Sequence, residues 1–188
     1  MSQQTWYEVI TCASTDGPTL TAAARASCIP TANRIVLPNN YFYIGRAIRF
    51  QLGGRISCAV TTPGTARFDI CMGSAGTTIV FDTLALNLNI VAKTTVPWSL
   101  DLILVCRAVG NGTSTTFFPT QSTFQSEAVV GSAVPTVGGN GSLCVPVGTP
   151  AVGAGTDNTI AAALDVFFTQ TVATGSLTVH SYMVSALN

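Results

Sequence analysis

The side chains able to do chemistry in this sequence are few and widely separated. The single histidine, His180, falls between Val179 and Ser181 in an alternating apolar stretch. Nucleophilic catalysis needs a base held beside a serine or cysteine. The sequence contains neither a G-x-S-x-G nucleophile elbow nor a G-x-x-x-x-G-K-[ST] phosphate loop. We therefore interpret His180 as a structural residue and find no support for phosphoryl chemistry.

The acidic side chains are the remaining candidates for acid–base chemistry or metal binding. Glycoside hydrolysis needs two carboxylates facing one cleft, and calcium needs several oxygen ligands at close spacing. Most of the acidic residues fall in predicted turns or at outward strand positions, and they are far apart along the chain. The eight are Glu8, Asp16, Asp69, Asp82, Asp101, Glu127, Asp157 and Asp165. We therefore expect no enzyme, no metal site and no cofactor.

The cysteines leave two readings open. The six, Cys12, Cys28, Cys58, Cys71, Cys106 and Cys144, include no C-x-x-C pair, so a zinc site is not expected. In a reducing cytoplasm such residues are usually buried as small hydrophobic side chains. If the Pro63-Gly64 turn closes a hairpin symmetrically, however, Cys58 and Cys71 lie opposite each other, close enough for a disulfide.

The elements that would position these residues are strands. Short alternating segments rich in Val, Ile, Thr and Phe recur from about residue 41 onward, separated by Gly, Pro and Asn. This pattern predicts an all-β protein, a jelly roll or two-sheet β-sandwich of about eight strands. The predicted elements are a three-strand meander over 48–81, a long central strand over 98–108, a hairpin at Asn111-Gly112, a strand over 115–124, a long loop over 131–158 with one short strand near Leu143, and two closing strands over 161–172 and 176–187.

The first 34 residues lack this alternation. They carry Trp6 and Tyr7 and then a polar stretch. We predict an extended N-terminal arm over residues 1–34 and a β-sandwich domain over residues 35–188. Because a terminal arm is poorly ordered unless it is docked, this one lies over its own sandwich or reaches onto a neighbour. Trp6 and Tyr7 are the candidate subunit-contact residues.

The charge content points to an assembly. Charged residues make up 9% of the 188, and eight basic residues cancel eight acidic ones, whereas a typical soluble domain has about 25% charged residues. Isolated monomers usually stay soluble through mixed surface charge and a net charge away from zero. The surface must therefore consist mostly of neutral polar side chains or be covered by partners.

Composition also argues against two classes of partner. The basic residues form no cluster, Arg46, Arg49 and Arg55 being the nearest to a group, so nucleic acid is not expected. No apolar run reaches the roughly 18 residues that span a bilayer, so no membrane is expected either. The N-terminus shows no secretory signal pattern, and we expect synthesis in the cytoplasm.

A set of strand and turn segments falls between position 29 and about 130. These segments are Ile29-Pro30, Leu37-Pro38-Asn39, Ile44 to Phe50, Thr62-Pro63-Gly64-Thr65, Gly76-Thr77-Thr78-Ile79, Pro97-Trp98-Ser99-Leu100 and Arg107-Ala108-Val109-Gly110. They resemble a pattern found in tailed-bacteriophage virion proteins, which are jelly-roll modules of the head decoration (cement) type. The resemblance implies a non-catalytic protein on the exterior of the virion head that clamps neighbouring capsomers. Its implied partners are copies of itself, usually in a homotrimer, and the major capsid protein.

Two other functions stay open. One is a tail- or fibre-associated virion subunit. The other is a lectin-like carbohydrate-binding β-sandwich, which an exposed aromatic platform flanked by polar side chains would favour. The main capsid shell protein is less expected, because the chain has no basic arm to meet a packaged genome.

Overall fold

The chain folds into two antiparallel sheets packed face to face, which confirms the predicted all-β sandwich. A computed structural model describes residues 7–59, 63–129 and 141–187. Its strands are β1 (Tyr7–Cys12), β2 (Arg25–Ser27), β3 (Ile35–Leu37), β4 (Ala47–Cys58), β5 (Thr65–Met72), β6 (Thr78–Asp82), β7 (Leu86–Asn87), β8 (Lys93–Ala108), β9 (Thr116–Ser126), β10 (Ser142–Cys144), β11 (Ala162–Gln170) and β12 (Ser176–Leu187).

The strand count exceeds the expected eight because four strands are very short. β2, β3, β7 and β10 have two or three residues each, too few to show an alternating pattern in the sequence. A single 3-10 turn, Thr31–Asn33, is the only helical element among the described residues.

The order of strands in the two sheets is that of a jelly roll. Sheet A runs β1-β12-β4-β8-β9-β10, and sheet B runs β2-β11-β5-β6, with β3 added beside β11 and β7 beside β5. Consecutive long strands mostly alternate between the sheets, as they do when two Greek keys fold over each other. Sheet A continues past β8 with β9, whose Phe124 ring lies 5.5 Å from that of Phe68 on β5, and then with β10.

The core fills the space between the two sheets. β8 lies at the centre of sheet A between β4 and β9, and its Leu100, Leu102 and Leu104 are fully buried while Ile103 on the other face is half-buried. The predicted long central strand and its register are confirmed. From sheet B, the ring of Phe68 lies 5.0 Å from that of Trp98, so the two inner faces interdigitate.

The predicted meander through β4, β5 and β6 is wrong in its first half. β5 pairs with β6 as expected, but β4 belongs to sheet A and β5 to sheet B. Alternation shows which side chains face the core and not which sheet a strand joins, so it cannot separate a hairpin from a crossover. Cys58 and Cys71 are therefore not cross-strand partners; both are free thiols, and the proposed disulfide does not form.

Unbroken alternation over 176–187 predicts Leu177, Val179 and Met183 on one face and Tyr182 and Val184 on the other, and this prediction is wrong beyond the midpoint of β12. A register shift between Val179 and Ser181 places His180 in a bulge. The bulge reverses the inward and outward alternation, so Tyr182 and Val184 face the core on the same side as Val179, and Met183 is only half-buried. The sequence pattern assumes an unbroken period of two and had placed Met183 inside.

Residues 7–34 lie along the edges of both sheets. β1 pairs with β12, β2 pairs with β11, and Leu20 bridges to Leu177. Strand pairing with the sandwich therefore begins at Tyr7, ahead of residue 34. Tyr7 and Val9 are exposed on an outer strand, which explains why this segment lacks the alternation of a buried strand.

The predicted loop over 131–158 contains one short strand, β10, as expected, while residues 130–140 lie outside the described part of the chain. Residues 145–156 then close one side of the sandwich. The amide of Val147 donates to the carbonyl of Thr83 at 3.1 Å, and that of Ala154 donates to the carbonyl of Ile79 at 3.0 Å. This segment satisfies the outer edge of β6.

Candidate subunit-contact surface

Most charged side chains of the chain are paired with one another. Among the described residues, which include every Arg, Lys, Asp and Glu, Arg55, Arg107 and Asp157 make no ion pair, and Asp16 pairs with His180, whose imidazole is charged only when protonated. Opposite charges held within 4 Å cancel at a distance. The surface is therefore closer to neutral than even the low charge content implies.

The largest group of paired charges lies on the outer face of sheet B. We call it the sheet B network; its members are Arg25, Arg34, Arg67, Asp69, Asp82 and Asp165. Asp69 is its centre: one carboxylate oxygen lies 2.6 Å from Nε of Arg25 and the other 3.3 Å from Nε of Arg67, while 2% of the side chain is exposed. Arg67 also pairs with Asp82.

Arg25 of this network also engages an aromatic ring and a thiol. Its Cζ lies 3.8 Å from the ring centre of Phe167, and its Nη2 donates to Sγ of Cys71 at 2.9 Å. Burial raises the pKa of the Cys71 thiol to about 11, although the Arg25 charge acts in the opposite direction. The thiol is therefore protonated near neutral pH and serves as a hydrogen-bond partner.

The outer face of sheet A has a different character. Across the central strands β4 and β8 it carries one ion pair, with Nε of Arg49 donating to Oδ1 of Asp101 at 2.9 Å. Ile103 and Val105 occupy outward positions on β8 and are half-buried. This face combines apolar and neutral polar side chains with the exposed Arg55 on β4 and Arg107 on β8.

Edge strand β1 presents two exposed apolar side chains beside this face. Tyr7 is 55% exposed and Val9 is 50% exposed. The Tyr7 hydroxyl lies 3.9 Å from Sδ of Met183. In the described chain β1 pairs only with β12, and its far end is covered by the 3-10 turn, where the Asn33 side chain donates to the carbonyl of Cys12. The open part of this edge is residues 7–10.

A tyrosine and arginine cluster flanks the other side of β1. Cζ of Arg46 lies 3.8 Å from the ring centre of Tyr41 and 5.6 Å from that of Tyr43. Oε2 of Glu8 accepts from Arg46 at 3.1 Å and from the Tyr41 hydroxyl at 3.3 Å. Burial raises the pKa of Tyr41 to about 12, against the lowering effect of Arg46. The cluster fixes the β3–β4 connection against β1.

That connection exposes two more large side chains, Tyr43 at 49% and Ile44 at 66%. Together with Tyr7 and Val9 they form what we call the β1 surface. Tyr43 and Ile44 were not singled out from the sequence. The signal was the run Tyr41-Phe42-Tyr43-Ile44, which sits between turn residues and has no period that would assign it to a strand.

Of the two residues expected to contact other subunits, the structure describes one. Trp6 lies outside the described residues. Tyr7 is exposed and belongs to the β1 surface. Its contact with a neighbouring subunit stays a prediction.

A concavity of about 370 Å³ lies near the end of β1 and is lined by Cys12, Gln51, His180, Ser181, Met183 and neighbouring backbone. Nδ1 of His180 lies 3.0 Å from Oδ1 of Asp16. Among the described residues, no hydrogen bond joins this imidazole to the Cys12 thiol or the Ser181 hydroxyl. The arrangement thus lacks the contact between nucleophile and base that covalent catalysis uses.

Within the described residues, no group of three or more His, Cys, Asp or Glu side chains is placed to hold a metal ion. No helix among them is long and apolar enough to cross a membrane.

No protein-family model, curated protein or solved structure matches the chain.

Proposed function

We propose that this protein is a virion structural subunit of the head decoration type, which associates with copies of itself and clamps neighbouring capsomers of an assembled shell. The observation that carries the proposal is the internal pairing of charges. A subunit that satisfies its charges within itself presents neutral surface to its neighbours, and interface cores are depleted in charged residues. The phage head and the trimeric state come from the resemblance of residues 29 to about 130 to virion decoration proteins.

The energetics of the β1 surface favour this role. Exposed apolar side chains gain roughly 25 cal/mol for each Å² removed from water, and a surface without unpaired charge avoids most of the desolvation cost of contact. Tyr7 and Val9 lie on edge strand β1 of sheet A, and Tyr43 and Ile44 lie on the connection that the contact between Arg46 and Glu8 holds against that strand. They form the part of the described surface best suited to a protein partner.

The first experiment measures assembly directly. Light scattering after size-exclusion chromatography should show a closed oligomer, most simply a trimer. Purified protein should also co-sediment with pre-assembled shells that lack it. A monomer at high concentration that does not bind shells would contradict the proposal. Binding to tail or fibre assemblies but not to heads would favour the tail-associated subunit, and binding to immobilised glycans would favour the lectin-like module.

The second experiment locates the contact. Deleting residues 1–28 would remove both β1 and β2, so point substitutions are the better test. The double variant Tyr7→Ser with Val9→Thr should weaken self-association at least tenfold with an unchanged melting temperature. The matched control is Val36→Thr, because Val36 is 65% exposed on β3 of sheet B. Equal effects of both variants would show that the β1 surface is not the contact.

A further inference from the structure

The tip of the β8–β9 hairpin is the dipeptide Asn111-Gly112. The amide of Ser114 donates to the carbonyl of Asn111 at 3.1 Å, which closes the turn. Gly112 has a φ of +62°, a left-handed conformation that glycine adopts without strain. Both residues are exposed, and a Cβ atom at Gly112 would meet no other atom within 4 Å. Neighbouring side chains therefore leave the peptide bond between the two residues accessible.

The carboxamide of Asn111 can turn towards this peptide bond. Within the described residues no hydrogen bond holds it. Asn158 shows the contrast, because its Oδ1 accepts from the amide of Phe42 at 3.1 Å and its Nδ2 donates to the carbonyl of Phe42 at 3.0 Å. Asn111 is also the one described asparagine that precedes a glycine. These two properties together separate it from the other described asparagines.

An asparagine in this setting can react with its own backbone. The Gly112 nitrogen bonds to Cγ of Asn111 while the bond from Cγ to Nδ2 breaks, and the amide proton leaves with Nδ2 as ammonia. The product is a five-membered cyclic imide, and closing so small a ring within one chain costs little entropy. Water then opens the imide at either carbonyl and leaves aspartate or isoaspartate. No atom is oxidised or reduced.

We propose that Asn111 deamidates spontaneously in the folded protein, with the Gly112 amide nitrogen as the nucleophile. The hairpin tip then acquires a negative charge that the encoded sequence does not have there. This inference is independent of the proposed function, because it requires neither self-association nor a shell.

Asp157 restrains the reaction from the neighbouring segment. The amide of Asn158 donates to the carbonyl of Gly110 at 3.0 Å, so this segment lies against the hairpin. Hydrogen bonds from the Thr159 side chain and from the Gly112 amide lower the pKa of Asp157. The bond to Gly112 has to open before the nitrogen attacks, and a nearby carboxylate disfavours loss of the amide proton. Asp157 therefore slows the deamidation.

Peptide mass spectrometry of purified protein incubated in neutral buffer tests the proposal. Replacing ammonia by water adds about 1 Da, and chymotrypsin separates the Asn111 peptide from that of Asn140, which also precedes a glycine. In the folded protein the Asn111 peptide should gain this mass with time, as a mixture of aspartate and isoaspartate, while Asn158 stays unchanged. Protein kept in urea is the positive control. Conversion of Asn111 in urea but not in the folded protein would overturn the proposal, as would equal conversion of Asn158 in the folded protein.

Two variants test the mechanism. Asn111→Gln should slow the mass gain at this position about tenfold or more, because the longer side chain must close a six-membered ring. Asp157→Ala should speed conversion of Asn111 several-fold. The matched control Thr159→Val removes a hydroxyl that donates to Asp157 at 2.6 Å and leaves the carboxylate in place, so the rate should stay near that of the wild type. An unchanged or slower rate in Asp157→Ala, or an equal rise in Thr159→Val, would show that the carboxylate is not the restraint.

Discussion

At the scale of single residues, Asp69 shows how the chain holds charge without exposing it. Its carboxylate is almost fully buried, which would cost several kcal/mol if it were unpaired. Two arginines, each about one-third or more exposed, surround it and keep contact with water. The pairing therefore offsets much of the desolvation cost of the Asp69 carboxylate. Removing either partner lowers the free energy of unfolding by more than the intact pair contributes to it.

Asp69→Asn should lower the free energy of unfolding by about 1–3 kcal/mol, because Arg25 loses its carboxylate partner while Arg67 retains Asp82. Urea denaturation would measure the change. The control Asp101→Asn breaks the half-exposed pair with Arg49 and should cost less than about 1 kcal/mol. Equal losses of unfolding free energy for the two variants would show that the burial of Asp69 does not strengthen its ion pair.

The cysteines give a second prediction, in which accessibility and acidity act together. Burial raises the pKa of Cys28 strongly and that of Cys71 from 9.0 to about 11. At pH 8 about one part in a thousand of Cys71 is thiolate, the reactive form. Iodoacetamide should therefore label Cys12 and Cys144 rapidly in the folded protein, and all six cysteines after denaturation. Rapid native labelling of Cys28 or Cys71 would contradict the packing described for β5 and β11.

The same shift has a defined effect on stability. Because the pKa of Cys71 is higher in the folded chain, the folded state holds the proton more tightly. The stabilisation is complete below pH 9, the ordinary thiol pKa, and is lost as the pH rises through about 11.

At the scale of elements, β8 supports a direct test of register. Leu102→Ala should cost about 2–5 kcal/mol, since the side chain is fully buried between the sheets and its loss leaves a cavity. Ile103→Ala, on the half-buried outer face, should cost less than Leu102→Ala. Thermal or urea unfolding of the two variants gives the comparison; the reverse order would place the wrong face of β8 inside.

The elements also show what the sequence can and cannot predict. β11 and the part of β8 from Trp98 onward were located correctly because their alternation is unbroken. The first five residues of β8, none of which is buried, were missed. The partner of β4 could not be predicted, since alternation carries no information about which sheet a strand joins. The bulge at His180 was missed for a related reason: one extra residue reverses the faces while every residue type remains compatible with a strand.

The candidate contact surface was predicted only in part. Tyr7 was recognised because it is an aromatic residue outside any alternating segment. Tyr43 and Ile44 were missed because their exposure depends on how Arg46 and Glu8 fix the β3–β4 connection against β1, and that contact joins residues 38 positions apart. The Arg25–Asp69 pair depends in the same way on β2 and β5, which are distant in sequence and lie on either side of β11 in sheet B.

At the scale of the whole molecule, internal charge pairing predicts how association responds to salt. Attraction between charged surfaces weakens as salt screens it, whereas contact between neutral surfaces does not. The dissociation constant of the oligomer should change less than about threefold between about 0.05 M and 0.5 M sodium chloride. Sedimentation equilibrium at the two salt concentrations would measure it. A tenfold weakening would show that unpaired charges such as Arg55 and Arg107 drive the contact.

The pairing of β1 with β12 has a mechanical consequence. Tyr7 and Leu187 are cross-strand partners, so the first and last described residues stand side by side on neighbouring strands. A force that pulls these two points apart acts along the hydrogen bonds between the strands and peels β1 away one pair at a time. A force directed along the strands must instead slide whole strands past each other, which loads all the hydrogen bonds of a strand pair at once. The protein therefore resists tension along its strands better than tension that separates Tyr7 from Leu187.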